Sequence, residues 1–292
     1  MSLDYLFTVL TYANIFSILA LSLNILMGYA GQVSLGHAAF FGIGAYASAV
    51  LTVKLGLSYW FSLPLSVLIG GILGFLLGLP SLRVRHDFLV LATIGLNFVV
   101  VSVFNYVDFF GGPYGIIGLP IVRIFGHDLM TFGYFVYTSV WLLIIVLINL
   151  YIERVFLRFG FEAVKENEDA AESIGVSVPR FKIYAFSISG AMAALAGNLW
   201  AHQMGMVFPD NFSFPVSVSI LTMVVLGGMG TISGPIVGAF ILTFLPEVLR
   251  FVQDYRLLIY GAIIIAVMMY QPHGLLGKSG ILRRIFHGNT GG

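Results

Sequence analysis

E-R-V-F-L-R-F-G-F-E-A-V-K-E-N-E-D-A-A-E-S-I-G-V-S-V-P-R-F-K, residues Glu153 to Lys182, is the one long polar stretch of this chain, and an apolar segment flanks it on each side. Five of the thirteen acidic residues fall between Glu162 and Glu172. The rest is nearly empty of charge: 59% of the 292 residues are hydrophobic and 9% charged, with a mean hydropathy of +0.99. Soluble domains carry about 25% charged residues. Apolar runs of about 20 residues, each long enough to cross a hydrocarbon core of about 30 Å, recur from end to end. These runs predict an all-α, polytopic transmembrane bundle forming a single domain over residues 1–292, with 8–9 spans and one water-exposed island at 153–182. A transmembrane barrel is excluded, because its short alternating strands do not read as continuous apolar runs.

Candidate spans lie at 5–27, 34–53, 62–79, 88–107, 134–152, 182–201, 216–229, 234–252 and 257–271. The first is read as a retained span, since it lacks a basic leader and its apolar run is too long for a signal sequence. Ten of the fourteen Lys and Arg cluster in three places: Arg83 and Arg85; Arg154, Arg158, Lys165, Arg180 and Lys182; and Lys278, Arg283 and Arg284. The positive-inside rule puts all three, including the tail 272–292, in the cytoplasm. Span parity agrees, and it assigns Asp108–Gly133 and His202–Pro215 to the outer face. The N-terminus stays open: nine full crossings put Met1 outside, and a re-entrant or broken 34–53 puts it inside.

Two glycine-rich interruptions stand out, Gly28–Tyr46 and Val225–Phe240. Glycine weakens helix and permits close packing. Non-helical backbone at membrane depth survives only where protein buries it or water lines it, and paired broken spans mark the substrate path of transporters. Ser34, Gly36, His37, Gly227, Gly228 and Gly230 are therefore the candidate translocation path. The competing reading is plain small-residue helix packing. In the island, Glu162–Ile174 is expected to form about three helical turns, with Gly175 at the position just past its end. Such an acidic rod either complements a basic groove on another protein or merely keeps the loop out of lipid.

Other chemistry finds little support. There is no cysteine, hence no thiol chemistry. The six histidines show no metal-binding spacing, and no cofactor is expected in the chain. Gly277-Lys278-Ser279 ends like a phosphate-binding loop, but Pro272 stands where its first glycine is required. No G-x-S-x-G elbow is present, and no basic stripe exists for nucleic acid. Of the ionisable residues near spans, Asp108 and His202 fall at outer ends, Glu247 and Arg250 are spaced to pair, and His37 sits inside the first glycine-rich break.

The segment R-F-G-F-E-A-V-K-E-N-E-D-A-A-E-S-I-G (Arg158–Gly175) resembles the cytoplasmic loop of the branched-chain amino-acid ABC transporter permeases, the LivM-type inner-membrane subunits. The resemblance extends to S-L-G-H-A-A-F-F-G-I-G-A-Y (Ser34–Tyr46), Lys182–Gly197, Met223–Ala239 and Q-P-H-G-L-L-G (Gln271–Gly277), in the family's order. Glu162 and Lys165 stand where the family usually has arginines. The resemblance implies a permease subunit, not an enzyme, that passes branched-chain amino acids across a bacterial inner membrane. It implies a coupling contact carried by Glu162, Glu166, Asn167, Glu168, Ala170, Ala171 and Gly175. It also implies partners: two ABC ATPase subunits that hold the ATP and magnesium, a homologous permease, and an extracytoplasmic substrate-binding protein. A urea or short-amide permease of the same family, a stand-alone carrier or channel, and an intramembrane enzyme are the rival readings.

Overall fold

The computed structural model describes residues 3–82, 86–124 and 126–248, and beyond them only 258–259, 261–262, 265, 269 and 274–276. Among the described residues ten α-helices are present: α1 (Leu3–Leu23), α2 (His37–Ala49), α3 (Tyr59–Ser81), α4 (His86–Tyr106), α5 (Thr131–Arg154), α6 (Phe156–Glu166), α7 (Glu168–Ser173), α8 (Val178–Met204), α9 (Phe214–Gly227) and α10 (Ser233–Val248). Wider π-helical turns continue α1 over Asn24–Tyr29 and α2 over Val50–Lys54. Six helical stretches among the described residues are long and apolar enough to cross a membrane. The expected span at 257–271 lies almost wholly outside the described residues, as do Arg83, Arg85, Lys278, Arg283, Arg284 and the Glu247–Arg250 pairing.

The core is built on α8, which is buried between α2 and α3. Glycine makes this possible. Gly70, Gly74 and Gly78, four residues apart, put one bare stripe of α3 against α8, so that a Cβ at Gly74 would stand 2.3 Å from the Phe186 carbonyl oxygen. On the other side Gly44 of α2 meets Ala194, and Gly197 of α8 meets Phe41. In lipid, helices gain no hydrophobic drive toward one another, so such backbone-close van der Waals contact is what holds them.

Side-chain contacts assign each helix end to a face. The start of α1 meets the start of α5, with Phe7 and Phe132 ring centroids 5.0 Å apart. Two short strands, β1 (Ile116–Ile117) and β4 (Met206–Val207), pair antiparallel, which unites the two segments expected on the outer face. Lys54, at the end of α2, hydrogen-bonds the Phe109 carbonyl there. A second two-residue hairpin, β2 (Arg123–Ile124) with β3 (His127–Asp128), lies in the same connection. At the opposite end of α1, Tyr29 and Gly28 hydrogen-bond the island through Glu153 and Lys165. The start of α1 therefore lies on the face opposite the island. Residues 274–276 come back to the island's side, where Leu275 N–H and Leu276 N–H donate to the Leu226 and Gly227 carbonyls, each at 2.9 Å.

The second span is broken but still crosses, so the break does not bring the chain's start to the island's face as a broken 34–53 was expected to do. His37, the first residue of α2, is level with Ser22, seven residues (about 10 Å) short of Tyr29. Residues 30–36 return to that depth without helix, and α2 completes the crossing.

Candidate functional site

The island folds as two helices, which corrects the expected continuous helix Glu162–Ile174. Val155, extended, ends α5 and starts α6. α6 is strongly amphipathic: Phe161 and Val164 are buried, and Gly160 lies so close to the Phe181 ring that a Cβ would stand 2.0 Å from it. At Asn167 the backbone leaves helix (φ −162°) and the side-chain Oδ1 accepts the Ala170 N–H at 3.0 Å. Asparagine is a strong N-cap, and here it opens a new helix instead of continuing the old one. Glu168 and Asp169 then sit in the first turn of α7, where their charge complements the helix dipole. Gly175, at φ +85°, closes α7: its N–H donates to the Glu172 carbonyl and that of Val176 to the Ala171 carbonyl. That pair of hydrogen bonds over a left-handed glycine is the Schellman motif.

Two acids expected to face a partner, Glu162 and Glu168, are engaged within this chain. Glu168 grips Lys182 at 2.6 Å, and the Lys182 side chain is only 5% exposed. Glu162 pairs with Arg158 at 3.1 Å, and Arg158 also pairs with Glu153 and lies over the Tyr29 ring. Burial pulls the Arg158 guanidinium pKa down, but the hydrogen bond and charge of Glu162, with the charge of Glu153, outweigh it and leave the group above its ordinary value. Ala171 is buried. Glu166, Asn167, Asp169, Ala170, Glu172, Ile174 and Gly175 face outward, and Ile174 is 65% exposed among the acids. Lys165 reaches back into the bundle: its Nζ donates to the Gly28 carbonyl at 2.7 Å and its stem packs on Gly31.

The two glycine-rich stretches meet near this contact. Ser34 and His37 are buried, and Gly36 runs so close to α4 that a Cβ would stand 2.0 Å from the Thr93 carbonyl oxygen. Hydroxyls of other helices accept the N–H groups at the start of α2: Thr93 that of Leu35 at 3.1 Å and Ser217 that of Ala38 at 3.0 Å. Ser22 gives its proton to the Leu19 carbonyl at 2.6 Å, so at His37 it accepts from Nε2–H, 2.7 Å away. The His37 Nδ1 is left as a buried acceptor with no partner. The second glycine-rich stretch is not the expected broken span but the turn between antiparallel α9 and α10: Gly227 closes on Gly234 and Gly238 on Met223, while Gly228 and Gly230 take φ +123° and +76°. The fastening residue is one that sequence reasoning missed. Asn24, fully buried, accepts the Gly230 N–H with Oδ1 at 2.8 Å and donates from Nδ2 to the Thr231 carbonyl at 2.9 Å. Gly28 lies against the same turn. One end of α1 thus touches both the island and this turn.

His202 lies at the expected end of α8, in its last turn, but is buried there. Its Nδ1–H donates to the Pro120 carbonyl at 2.9 Å, so Nε2 accepts from Ser48 at 2.8 Å, and Asn198 donates to both Ser48 and Ser66. Asp108 is exposed at the start of a short 3-10 turn. Among the described residues no three His, Asp or Glu are grouped to hold a metal ion.

Long apolar helices, one glycine-broken crossing, a glycine-rich turn between α9 and α10, and a polar island fastened beside both define a polytopic helical membrane protein. The chain belongs to the family described as the branched-chain amino acid transport system permease component, whose model matches residues 5–268. It is 35% identical to the high-affinity branched-chain amino acid transport system permease protein LivM of Salmonella typhimurium, over 91% of this chain and 68% of that protein. The LivM protein of Escherichia coli matches to the same extent. A probable LivH permease protein of Methanocaldococcus jannaschii is 25% identical over 91% of this chain and 90% of its own length. No solved structure matches the chain.

Proposed function

We propose that this chain is the transmembrane permease subunit of an ATP-driven importer for branched-chain amino acids, seated in a bacterial inner membrane with the island and the C-terminal tail in the cytoplasm. The observation that carries the reading is the Lys165–Gly28 hydrogen bond. It joins the island to the one end of α1 that also touches the turn 228–232. The ATP-hydrolysing work belongs to two separate subunits that bind ATP and magnesium, and each docks on an island like this one. Closure of those subunits pushes α6 and α7. The push passes through Lys165 to Gly28 and Gly31, and through the Glu168–Lys182 pair to the start of α8. Both glycine-rich stretches then shift against α4 and α9 and alternate access to the path between them. A homologous permease completes the translocation unit, and an extracytoplasmic binding protein delivers substrate to the face built from 108–124, 126–130 and 205–213.

The proposal is tested by Lys165→Met in the reconstituted importer. ATP-dependent leucine uptake is expected to fall about tenfold, the equivalent of about 1.4 kcal/mol in coupling, while the ATPase subunits still co-purify with the permease. Full uptake in this variant, or uptake by the permease in vesicles without any ATPase, would overturn the reading.

A further inference from the structure

Although α3 and α4 follow one another in sequence, two cavities hold them apart along much of their length. One, of about 420 Å³, lies between α2, α3 and α4 and is lined by residues that include Val50, Leu73 and Val100. The other, of about 210 Å³, continues toward the island side. Leu77 and Leu96 border both. From Leu89 to Phe104 the groove follows α4 for fifteen residues, roughly 22 Å against about 15 Å for one leaflet of hydrocarbon. Ile72, Phe75 and Leu76 of α3 and Phe98, Val99 and Val103 of α4 are exposed beside it, so the groove opens sideways toward bilayer and not toward water.

The lining narrows the occupant. Nearly every wall residue is apolar, so a zwitterionic amino acid would leave two charges without partners. Water there lacks the two to four polar neighbours it needs. One polar group does line the larger cavity: Tyr46, whose ring stacks on Phe104 with centroids 3.9 Å apart and whose hydroxyl is buried with no hydrogen-bond partner. At the outer end of the same helical run, exposed Lys54 stands 5.0 Å over the Phe109 ring, next to the Phe110 that closes the cavity. A cation at the interface attracts an anionic headgroup.

We infer that this groove is a phospholipid site. An acyl chain of the outer leaflet fills the space between α3 and α4, its glycerol ester accepts from the Tyr46 hydroxyl, and its phosphate meets Lys54. The lipid acts as a removable packing element between the broken span and α4.

The test uses the full chain, purified in detergent and exchanged exhaustively, with bound phospholipid measured by phosphate assay and native mass spectrometry. The wild-type protein is expected to keep one phospholipid per chain. Ala47→Phe combined with Val100→Phe fills the groove and is expected to abolish retention without lowering the unfolding temperature. Should that variant fail to fold, Tyr46→Phe decides: losing one hydrogen bond is expected to weaken retention about threefold to tenfold. Lipid-free wild-type protein, or unchanged retention by Tyr46→Phe or by the folded filled variant, overturns the inference. Release of the lipid by added leucine assigns the groove to substrate instead, and its loss on binding the second permease assigns it to that subunit; either result also overturns it.

Discussion

Gly197→Ala is expected to destabilise the isolated chain by about 3 kcal/mol, the upper part of the range for overpacking a close contact. The added methyl group would stand 2.0 Å from the Phe41 carbonyl oxygen and 2.8 Å from the Ala45 nitrogen. Neither is a side-chain tip that can swing away, so α2 and α8 must separate. That separation would propagate, because α8 is held on its other flank by Gly70, Gly74 and Gly190. It would also strain the Ser48–His202–Pro120 chain, which ties α2 to the outer segment. Thermal unfolding in detergent measures the effect. Gly95→Ala on α4 is the matched control: nothing lies within 4 Å of its Cβ position, and no loss is expected there.

Reversal of Glu166 and Asp169 to lysine is expected to release the ATPase subunits and lower ATP-dependent uptake about 100-fold, equivalent to about 2.7 kcal/mol of docking energy across two contacting charges. These two acids are chosen because both are exposed and neither is engaged with a cation of this chain in a described salt bridge. Glu168 is unsuitable, since a lysine there would face the nearly buried Lys182 and unseat α7 from α8. The reversed variant is expected to keep its unfolding temperature, which separates lost docking from lost fold. Co-purification with the ATPases at the wild-type level would count against the docking surface.

What the sequence made legible was mainly local. The apolar runs gave the bundle, and Gly175 was marked as a helix end by its position after an acidic, alanine-rich turn. The two glycine-rich stretches were visible as breaks, and the structure brings them to one region, the first as a broken span and the second as the turn between α9 and α10. Asn167 carried a signal that was available but outweighed: asparagine followed by Glu-Asp is a helix start, whereas the surrounding residues favour unbroken helix. The four-residue spacing of Gly70, Gly74 and Gly78 was equally present, yet only the partner helix gives it meaning. Long-range fastenings left no trace in the sequence. Lys165 is 137 residues from Gly28, Asn24 is 206 from Gly230, and His202 is 154 from Ser48. Their pairing follows from how the helices stack, and no periodicity encodes that.

The claim on which the rest depends is that the outward face of α6 and α7 lies in the cytoplasm and is covered there by an ATPase. Because the chain has no cysteine, Ala170→Cys supplies a single reporter at an exposed position of α7. A membrane-impermeant maleimide is expected to label it in inside-out vesicles and not in intact cells, and added ATPase subunits are expected to suppress the labelling. Labelling from outside intact cells, or labelling in vesicles that the ATPases leave unchanged, would contradict the account.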